Sequence, residues 1–320
     1  MNGKNPSEFN PDALPELLDL TLYNIDVIIP AYNEERFLGS VILKLQQYHV
    51  SVIVVDDGST DDTALVARLA GATVIQHPKN LGKGKALNTG FQAAQQLAPD
   101  AIVTIDADGQ HLPEHLPRLV QPVLVGQADI VIGSRYINNA SRVPTLRYWG
   151  HRFFNFLIQK MSGIYVTDSQ SGFRAFSSKA FQADIFHRAD FSVETEMQFL
   201  AQEHDLEVLE IPIFVRYSDK PKRSVWSHGI IVLIGLIRLV GQYRPLMFFG
   251  VPGTTLLLFG FILGLRVFNS FNLYKQLATG SALISGILFI LGMILLSTGM
   301  IIHCMRGMLR EMWRAKNKIS

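Results

Sequence analysis

The chain has 320 residues, of which 48% are hydrophobic and 18% charged, and its formal net charge is +2. This balance, without a basic stripe interleaved with aromatic residues, argues against nucleic-acid binding. A single cysteine, Cys304, excludes an internal disulfide and favours a reducing compartment. The N-terminus is polar and lacks the apolar stretch of a signal peptide, so we expect the following domain to be cytoplasmic.

Apolar, β-branched runs alternate with segments of helical periodicity as far as residue 132. The runs are apolar throughout, which is typical of strands covered on both faces. This βαβα order predicts a mainly parallel sheet with helices on both sides. The predicted elements are, in chain order, strand 25–29, helix 34–48, strand 50–55, helix 61–70 with Thr60 as N-cap, strand 72–76, helix 86–97, strand 101–105 and strand 129–132.

The most informative segment is the strand 101–105 together with the residues that follow it. The strand stops at Asp106 and Asp108, two acids spaced i, i+2, and a turn glycine, Gly109, comes next. Acids at the carboxyl end of a buried strand lie where open α/β sheets bind ligands. Two carboxylates there suit Mg²⁺ or Mn²⁺, which commonly bridges such a site to substrate phosphates. Taken alone, the Asp-x-Asp pattern is equally consistent with a surface turn.

Three more predicted strands end in polar clusters, which begin at Pro30, Asp56 and Gly133. In a parallel sheet these ends lie on one edge, so we expect the clusters to converge. A glycine–lysine loop, residues 80–86, enters a helix, and its backbone N–H groups and Lys83 suit a diphosphate. A solvated helix entry would explain this loop alone. Acids at strand ends combined with a cationic glycine loop favour a metal-bound nucleotide.

In this order and spacing, the motifs resemble the signature of family 2 glycosyltransferases with the GT-A fold. The matching segments are residues 30–34, 55–61, 80–84 and 106–110. Together with the segment 133–136 and two apolar segments near the C-terminus, the resemblance is closest to the polyprenyl-phosphate sugar transferases. That group includes dolichol-phosphate mannose synthases and bacterial bactoprenol glucosyltransferases.

The resemblance implies roles for residues on the donor side of the site. It implies that the nucleotide is bound by Pro30, Tyr32, Glu34, Asp57, Lys83 and Asp106, and the divalent metal by Asp106, Asp108 and Gln110. Lys83 would approach the diphosphate. The motif Gln-x-x-Arg-Trp of processive cellulose- and chitin-type synthases is absent from the sequence, which favours transfer of a single sugar.

On the acceptor side, the resemblance implies a site for the phosphate of a polyprenyl lipid. The residues assigned to it are Arg135, Arg147, Arg216, Lys222 and Arg223, and contact with anionic lipid would explain Lys222 and Arg223 equally well. The segment 167–174 matches a further family block near the transferred sugar, and it contains Asp168. The candidate catalytic residues are therefore Asp108, Asp168 and Arg135.

Two uncharged stretches near the C-terminus, Pro245 to Leu265 and Gln276 to Met305, are each long enough to cross a membrane. A hydrocarbon core of about 30 Å needs about 20 helical residues. Basic residues before the first stretch and after the second predict that both termini are cytoplasmic. The apolar run Ile230–Val240 is too short to cross, and we interpret it as an interfacial helix. Glycines in the segment 260–264 fit either a helix contact or the lipid surface.

These patterns divide the chain into an N-terminal extension (1–22), a GT-A domain (23–226), an interfacial helix (227–244), two transmembrane helices (245–268 and 276–305) and a basic cytoplasmic tail (306–320). We expect a multi-pass membrane enzyme that needs Mg²⁺ or Mn²⁺. It would transfer one sugar, with inversion, from a nucleotide-sugar to a polyprenyl phosphate on the cytoplasmic face. UDP-glucose is the favoured donor, ahead of GDP-mannose.

Two alternatives stay open at this stage. One is a family 2 glycosyltransferase that acts on another lipid or on a glycan. The other is a non-catalytic, membrane-tethered subunit that binds a nucleotide-sugar. The sequence does not separate Mg²⁺ from Mn²⁺, and it leaves a homo-oligomer open.

Overall fold

The computed structural model describes residues 18–137, 152, 155–156, 158–159, 163–182, 197–198, 201–202, 204–216, 241 and 244–316, with backbone only from residue 309. The chain divides into two compact units, residues 1–225 and 226–320.

Seven strands form a single sheet in the described part of the N-terminal unit. They are β1 (Ile25–Ala31), β2 (Ser51–Asp56), β3 (Thr73–Gln76), β4 (Ala101–Thr104), β5 (Ile130–Ser134), β6 (Arg174–Ser177) and β7 (Val208–Pro212). Their order is β3-β2-β1-β4-β6-β5-β7. β6 runs antiparallel to β4 and β5, and the other pairs are parallel. The prediction of a mainly parallel α/β sheet is confirmed.

The helices of this unit connect the strands much as the periodicity predicted. They are α1 (Glu35–Gln46), α2 (Thr63–Leu69), α3 (Lys83–Gln95), α4 (Leu116–Leu124) and α5 (Ser178–Gln182). The three predicted helices begin and end one to three residues from the predicted positions, and α4 and α5 were not predicted. α3 begins at Lys83 rather than Ala86, and the N-cap of α2 is Asp62 rather than Thr60. The cap of α2 was misplaced because the acceptor for the Thr63 N–H is the Asp61 carboxylate, two residues before it.

The core lies on both faces of the sheet, and β1 shows why its sequence does not alternate. Val27 and Ile29 pack on one side in a cluster with Ile42 of α1. Ile28 packs on the other side in a cluster with Phe91 of α3. Burying each such aliphatic or aromatic side chain contributes roughly 1.5–3 kcal/mol to folding. A strand covered on both faces is therefore apolar on both sides, and the buried Asp26 is the exception in β1.

The strand order places a change of direction between β1 and β4. The chain proceeds from β1 through β2 to β3 on one side, and then returns to add β4 on the other side of β1. Open α/β sheets bind ligands in the crevice at such a point, beyond the carboxyl ends of the strands. Because β6 is antiparallel to β4, with Thr104 opposite Arg174, the segment that precedes β6 reaches the same edge.

The C-terminal unit contains two long apolar helices, α6 (Val251–Tyr274) and α7 (Thr279–Lys316). A π-helical turn, Leu246–Gly250, leads into α6. The segments Leu246–Tyr274 and Thr279–Met308 are long and apolar enough to cross a membrane, with mean hydropathies of 2.0 and 2.3. Few of their side chains are buried within the unit, as only 17% and 11% of their most apolar stretches are covered. They are candidate membrane spans.

Glycines allow α6 and α7 to approach closely. A Cβ atom on Gly253 would lie 2.9 Å from the carbonyl oxygen of Gly292, and one on Gly292 would lie 2.8 Å from that of Gly253. Farther along, the Ser285 hydroxyl donates to the carbonyl of Gly260 at 2.7 Å. Gly260 therefore belongs to a helix contact rather than to the lipid surface. The predicted interfacial run, residues 230–240, lies outside the described residues.

Candidate functional site

Asp106, just beyond β4, lies between two cationic or titratable side chains at the edge of the sheet. Its Oδ1 lies 2.6 Å from Lys83 Nζ, and its Oδ2 lies 3.8 Å from Nε2 of the buried His111. Burial opposes ionisation of Asp106, but Lys83 above all, with help from His111 and Arg135, holds the pKa of this carboxyl below its usual range. Asp106 is therefore ionised, and its partner Lys83 belongs to the glycine–lysine loop that was predicted to bind the diphosphate.

Asp108 lies in the opposite electrostatic situation. The backbone N–H of Gln110 donates to its Oδ1 at 3.0 Å. Burial first, and then the charges of Asp106 and Glu34, raise the pKa of Asp108 to about 6. The acids at this edge repel one another, so a cation placed between Asp106 and Asp108 would stabilise both carboxylates.

The donor set at this edge fits a hard divalent cation. Within the described residues, no three Asp, Glu, His or Cys side chains come together as a complete metal site. A cation on the Asp106–Asp108 pair would thus keep coordination positions for phosphate oxygens and water, as Mg²⁺ sites usually do. The main chain of Gln110 bridges this pair to Arg216, whose N–H donates to the Gln110 carbonyl at 2.9 Å.

The glycine–lysine loop differs from the prediction in one respect. Its backbone N–H groups were expected to be available for a diphosphate. Instead, Leu81 N–H donates to Asp57 Oδ1 at 2.9 Å, and Gly82 N–H donates to Asp57 Oδ2 at 2.7 Å. The Asp57 carboxylate is thus used to hold the loop. Lys83 follows as the first residue of α3, which brings its ammonium group to Asp106.

The remaining donor-side residues lie at the carboxyl end of β1. Pro30 is inside the strand, Tyr32 follows it with 44% of its surface exposed, and Glu34 precedes α1. Asn33 adopts a left-handed conformation with φ of 54°, and its N–H donates to the Ser59 hydroxyl at 2.9 Å. The loops after β1 and β2 are therefore joined, which brings the predicted nucleoside residues to one side of the edge.

Arg135 and Asp168 were predicted separately, and the structure pairs them. Arg135 Nε donates to Asp168 Oδ2 at 2.6 Å, and Nη2 donates to Oδ1 at 2.7 Å. Both side chains are buried, at 8% and 0% exposed. Removing one partner of such a pair typically costs about 3–5 kcal/mol, because a buried charge is left uncompensated. The charge of Arg135 also contributes to lowering the pKa of Asp106, after Lys83 and His111, so the pair belongs to the same site.

A buried acid that the sequence analysis missed, Glu210 of β7, supports this pair from behind. Its Oε2 accepts the N–H of Thr167 at 2.7 Å, and its Oε1 accepts the N–H of Asp168 at 2.9 Å. Burial raises the pKa of Glu210 to about 7. On the opposite side of the segment, the Asn155 amide donates to the Thr167 carbonyl. The backbone that carries Asp168 is therefore fixed by side chains from two other elements.

The same segment continues onto Asp106. Arg174 is fully buried, and it donates to the carbonyls of Ser171 and Ser169, each at 2.8 Å. A Cβ atom on Gly172 would lie only 2.5 Å from Asp106 Oδ2, so a residue without a side chain is required there for this position of the carboxylate. One segment, residues 167–174, thus contacts both the Asp106 carboxylate and Arg135.

Of the other predicted acceptor residues, Arg216 is described and its side chain is exposed. Arg147, Lys222 and Arg223 lie outside the described residues.

The residues that the sequence analysis missed differ in how far the sequence marks them. His77 follows β3 at the same edge, as the polar clusters follow other strands, and Glu210 interrupts an apolar strand. His111 directly follows Gln110, and burial lowers its pKa to about 4.

Comparison with known proteins assigns the family. A model of glycosyl transferase family 2 matches residues 26–184. An uncharacterised protein of Methanocaldococcus jannaschii is 40% identical over 226 residues, which cover 68% of this chain and 91% of that protein. The chain belongs to glycosyl transferase family 2. The predicted family is confirmed, and this family 2 glycosyltransferase is an enzyme.

Named relatives and a solved structure extend the comparison. The UDP-N-acetylglucosamine–dolichyl-phosphate N-acetylglucosaminyltransferase of Methanococcus voltae is 33% identical, over 66% of this chain and 91% of that protein. The undecaprenyl-phosphate mannosyltransferase of Micrococcus luteus is 32% identical, over 58% and 81%. Glucosyl-3-phosphoglycerate synthase from Mycobacterium tuberculosis, crystallised with Mn²⁺, UDP and glucosyl-3-phosphoglycerate, aligns with a TM-score of 0.55 and 25% identity, over 76% and 85%. The predicted GT-A fold is confirmed.

Proposed function

We propose that this glycosyltransferase moves one sugar from a nucleotide-sugar to the phosphate of a membrane polyprenol. The observation that carries the donor half is the Asp106–Asp108 pair, which lies at the change of direction in the sheet with Lys83 in contact. The acceptor half is supported by the relatives named for transfer to dolichyl and undecaprenyl phosphates.

On the donor side, Asp106 and Asp108, with Gln110, would hold Mg²⁺ or Mn²⁺. When bound, such an ion neutralises the charge of the departing nucleoside diphosphate. Lys83 adds an ammonium group on the same side, while Pro30, Tyr32 and Glu34 bind the nucleoside. A UDP-sugar is the preferred donor, since the structurally similar glucosyl-3-phosphoglycerate synthase was crystallised with Mn²⁺ and UDP, and UDP-glucose is our first candidate.

On the acceptor side, we assign Arg135 to the lipid phosphate and Asp168 to the orientation of its guanidinium group. A phosphate monoester has a second pKa of about 6, so it is already an anionic nucleophile at neutral pH. It needs positioning rather than a general base. Its oxygen forms a bond to the anomeric carbon as the bond to the diphosphate breaks, and the nucleoside diphosphate leaves with the electron pair. This single displacement inverts the anomeric centre.

Further cations are proposed to assist the acceptor phosphate. These are Arg216 and, beyond the described residues, Arg147, Lys222 and Arg223. The helices α6 and α7 would anchor the enzyme as two membrane spans with both termini in the cytoplasm, preceded by the interfacial helix 227–244. Such an anchor supplies a high local concentration of an acceptor that does not leave the bilayer.

The proposed function is tested by supplying membranes that contain the enzyme with labelled UDP-glucose, GDP-mannose and UDP-N-acetylglucosamine in turn. We expect one donor to label a lipid that extracts as a polyprenyl-phosphate sugar, and we expect a chelator to abolish the label. Membranes that contain Asp108→Asn serve as the matched control. Label that appears only in a glycan, or in a lipid without a polyprenyl chain, would contradict the proposed acceptor.

A further inference from the structure

A chain of three side chains connects Asp57 to helix α3. The Asp57 carboxylate is buried and accepts hydrogen bonds from the N–H groups of Leu81 and Gly82. His77, which follows β3, lies with Nδ1 2.7 Å from Asp57 Oδ1 and Nε2 2.9 Å from the hydroxyl of Thr89. We call Asp57, His77 and Thr89 the Asp57 clamp.

One hydrogen bond of the clamp has a fixed direction. A carboxylate only accepts, so His77 donates through Nδ1–H to Asp57. The second hydrogen bond joins Nε2 to the Thr89 hydroxyl, which can donate or accept. Thr89 lies in α3, the helix that begins at Lys83. The clamp thus connects the end of β2, the end of β3 and the interior of α3.

The clamp encloses residues 77–83, which include the first part of the glycine–lysine loop. Gly82 has a φ of 95°, a conformation that glycine adopts readily, and it immediately precedes α3. A Cβ atom on Gly58 would lie 2.5 Å from the main-chain carbon of Lys79, so the loop packs directly on the turn after β2. Because both ends of the loop are held, the position of Lys83 at the start of α3 is held as well.

We infer that His77 and Thr89 are positioning residues for the donor diphosphate. They hold Asp57, Asp57 holds the loop through Leu81 and Gly82, and the loop sets Lys83 beside Asp106. Both oxygens of Asp57 accept N–H donors of the loop, so Asp57 acts on the donor through the loop, in addition to its predicted place beside the nucleoside. This inference rests on the proposed function, because it requires a nucleoside diphosphate as ligand.

Thr89→Val is the sharpest test, because it removes one hydroxyl and keeps the shape of the side chain. Binding of UDP and of GDP, each with Mn²⁺, is measured by calorimetry on the full chain in detergent. We expect the dissociation constant of the bound nucleotide to rise about three- to tenfold, the range of one lost hydrogen bond. Thr89→Ser should restore the parent value. Thr73→Val, an exposed position in β3, is the matched control.

His77→Ala removes the centre of the clamp and should weaken nucleotide binding more than Thr89→Val does. In transfer assays, both variants should raise the KM for the donor and leave the KM for the polyprenyl phosphate unchanged. A purely structural role would lower the melting temperature without this split. If His77→Ala does not fold, Thr89→Val and its serine counterpart decide the question alone.

Two failures are distinguishable. Variants that bind nucleotide as the parent does, or that raise both KM values equally, would overturn the clamp and leave the proposed function intact. A parent protein that binds neither UDP nor GDP in the presence of Mn²⁺ would overturn the proposed function, and the role of the clamp with it.

Discussion

Two pairs of acids end strands on either side of β1, and the protein uses them in opposite ways. After β2, Asp56 accepts N–H groups from Ser59 and Gln76, and Asp57 accepts them from the glycine–lysine loop. After β4, Asp106 contacts Lys83, while Asp108 is left with a raised pKa by burial and neighbouring acids. The first pair holds loops in place, and the second concentrates negative charge.

The difference separates acids that the fold itself stabilises from acids that a bound cation would stabilise. A carboxylate that accepts two or three N–H donors is stabilised in its charged form by the fold itself. Acids that repel one another lower the stability of the fold until a cation arrives. Sites of this kind often carry such a cost, because the arrangement that binds a ligand is not the arrangement of greatest stability.

The largest effect is expected for Asp108→Asn, which removes a charge and keeps the shape of the side chain. Transfer should fall by at least about a thousandfold, since the charge of the diphosphate is no longer balanced in the transition state. Without added metal, the same variant should be more stable than the parent at pH 7.5, because the repulsion behind the raised pKa is gone. Transfer assays and melting temperatures with and without Mn²⁺ measure both effects.

The shift of melting temperature on adding Mn²⁺ completes this test. The parent should gain stability from the ion, and Asp108→Asn should gain little. A variant that transfers sugar normally in the presence of a chelator would show that the acid pair after β4 does not serve a metal.

The second effect concerns Glu210, which accepts two N–H groups and yet has a raised pKa. Its ordinary pKa of 4.5 rises to about 7 in the folded protein, so the folded state binds its proton more tightly than the unfolded state does. The stability from this group is fully present below about pH 4.5 and is lost as the pH rises through 7. The loss is on the order of 3 kcal/mol.

Melting temperatures of the parent and of Glu210→Gln between pH 4.5 and 8 isolate this contribution, because other groups titrate alike in both proteins. The parent should lose stability relative to the variant as the pH rises. If the melting temperatures of the two proteins changed in parallel with pH, the two N–H donors would fully compensate the buried charge. Glu210 would then resemble Asp56 and Asp57.

Gly172→Ala is expected to have the third largest effect. It should raise the dissociation constant of UDP in the presence of Mn²⁺ about ten- to a hundredfold. The added methyl group would meet the Asp106 carboxylate at 2.5 Å, so the carboxylate must turn away from its present position. Gly39→Ala is the control, because its methyl group would meet only Val66 Cγ1, at 3.1 Å. Calorimetry with UDP and Mn²⁺ should separate the two variants. If both variants bound UDP and Mn²⁺ equally well, binding would not depend on the present position of the Asp106 carboxylate.

The acid pairs also show how much of this site the sequence could predict. Asp57, Lys83, Asp106 and Asp108 were singled out in the sequence because each lies next to a strand or helix whose pattern is local. The pairing of Arg135 with Asp168 was not found, since these residues are 33 positions apart. Their contact depends on β6 entering the sheet antiparallel, and periodicity reports the faces of a strand but not its direction or neighbours.

The sequence likewise does not show which distant residues hold the site residues in place. Glu210 could be singled out as a charge in an apolar strand, but its partners, the N–H groups of Thr167 and Asp168, are set by the tertiary fold. Thr89 gave no signal, because a threonine in a helix has no special pattern. Gly172 stands in a motif that the family resemblance marked, yet only the structure shows that its missing side chain leaves room for Asp106.

The smallest effect is expected for Asp56→Asn, which tests the other side of the contrast. Asp56 accepts the N–H of Ser59 at 3.1 Å and the amide of Gln76 at 3.0 Å. An asparagine keeps one acceptor and loses the other, so the stability should fall by about 1 kcal/mol. Binding of UDP with Mn²⁺ should be unchanged, whereas the same exchange at Asp108 should abolish binding and raise the stability. Melting temperature and calorimetry on both variants test this reversal. If Asp56→Asn weakened metal-dependent binding and left stability unchanged, Asp56 would belong with the acids that serve the ligand.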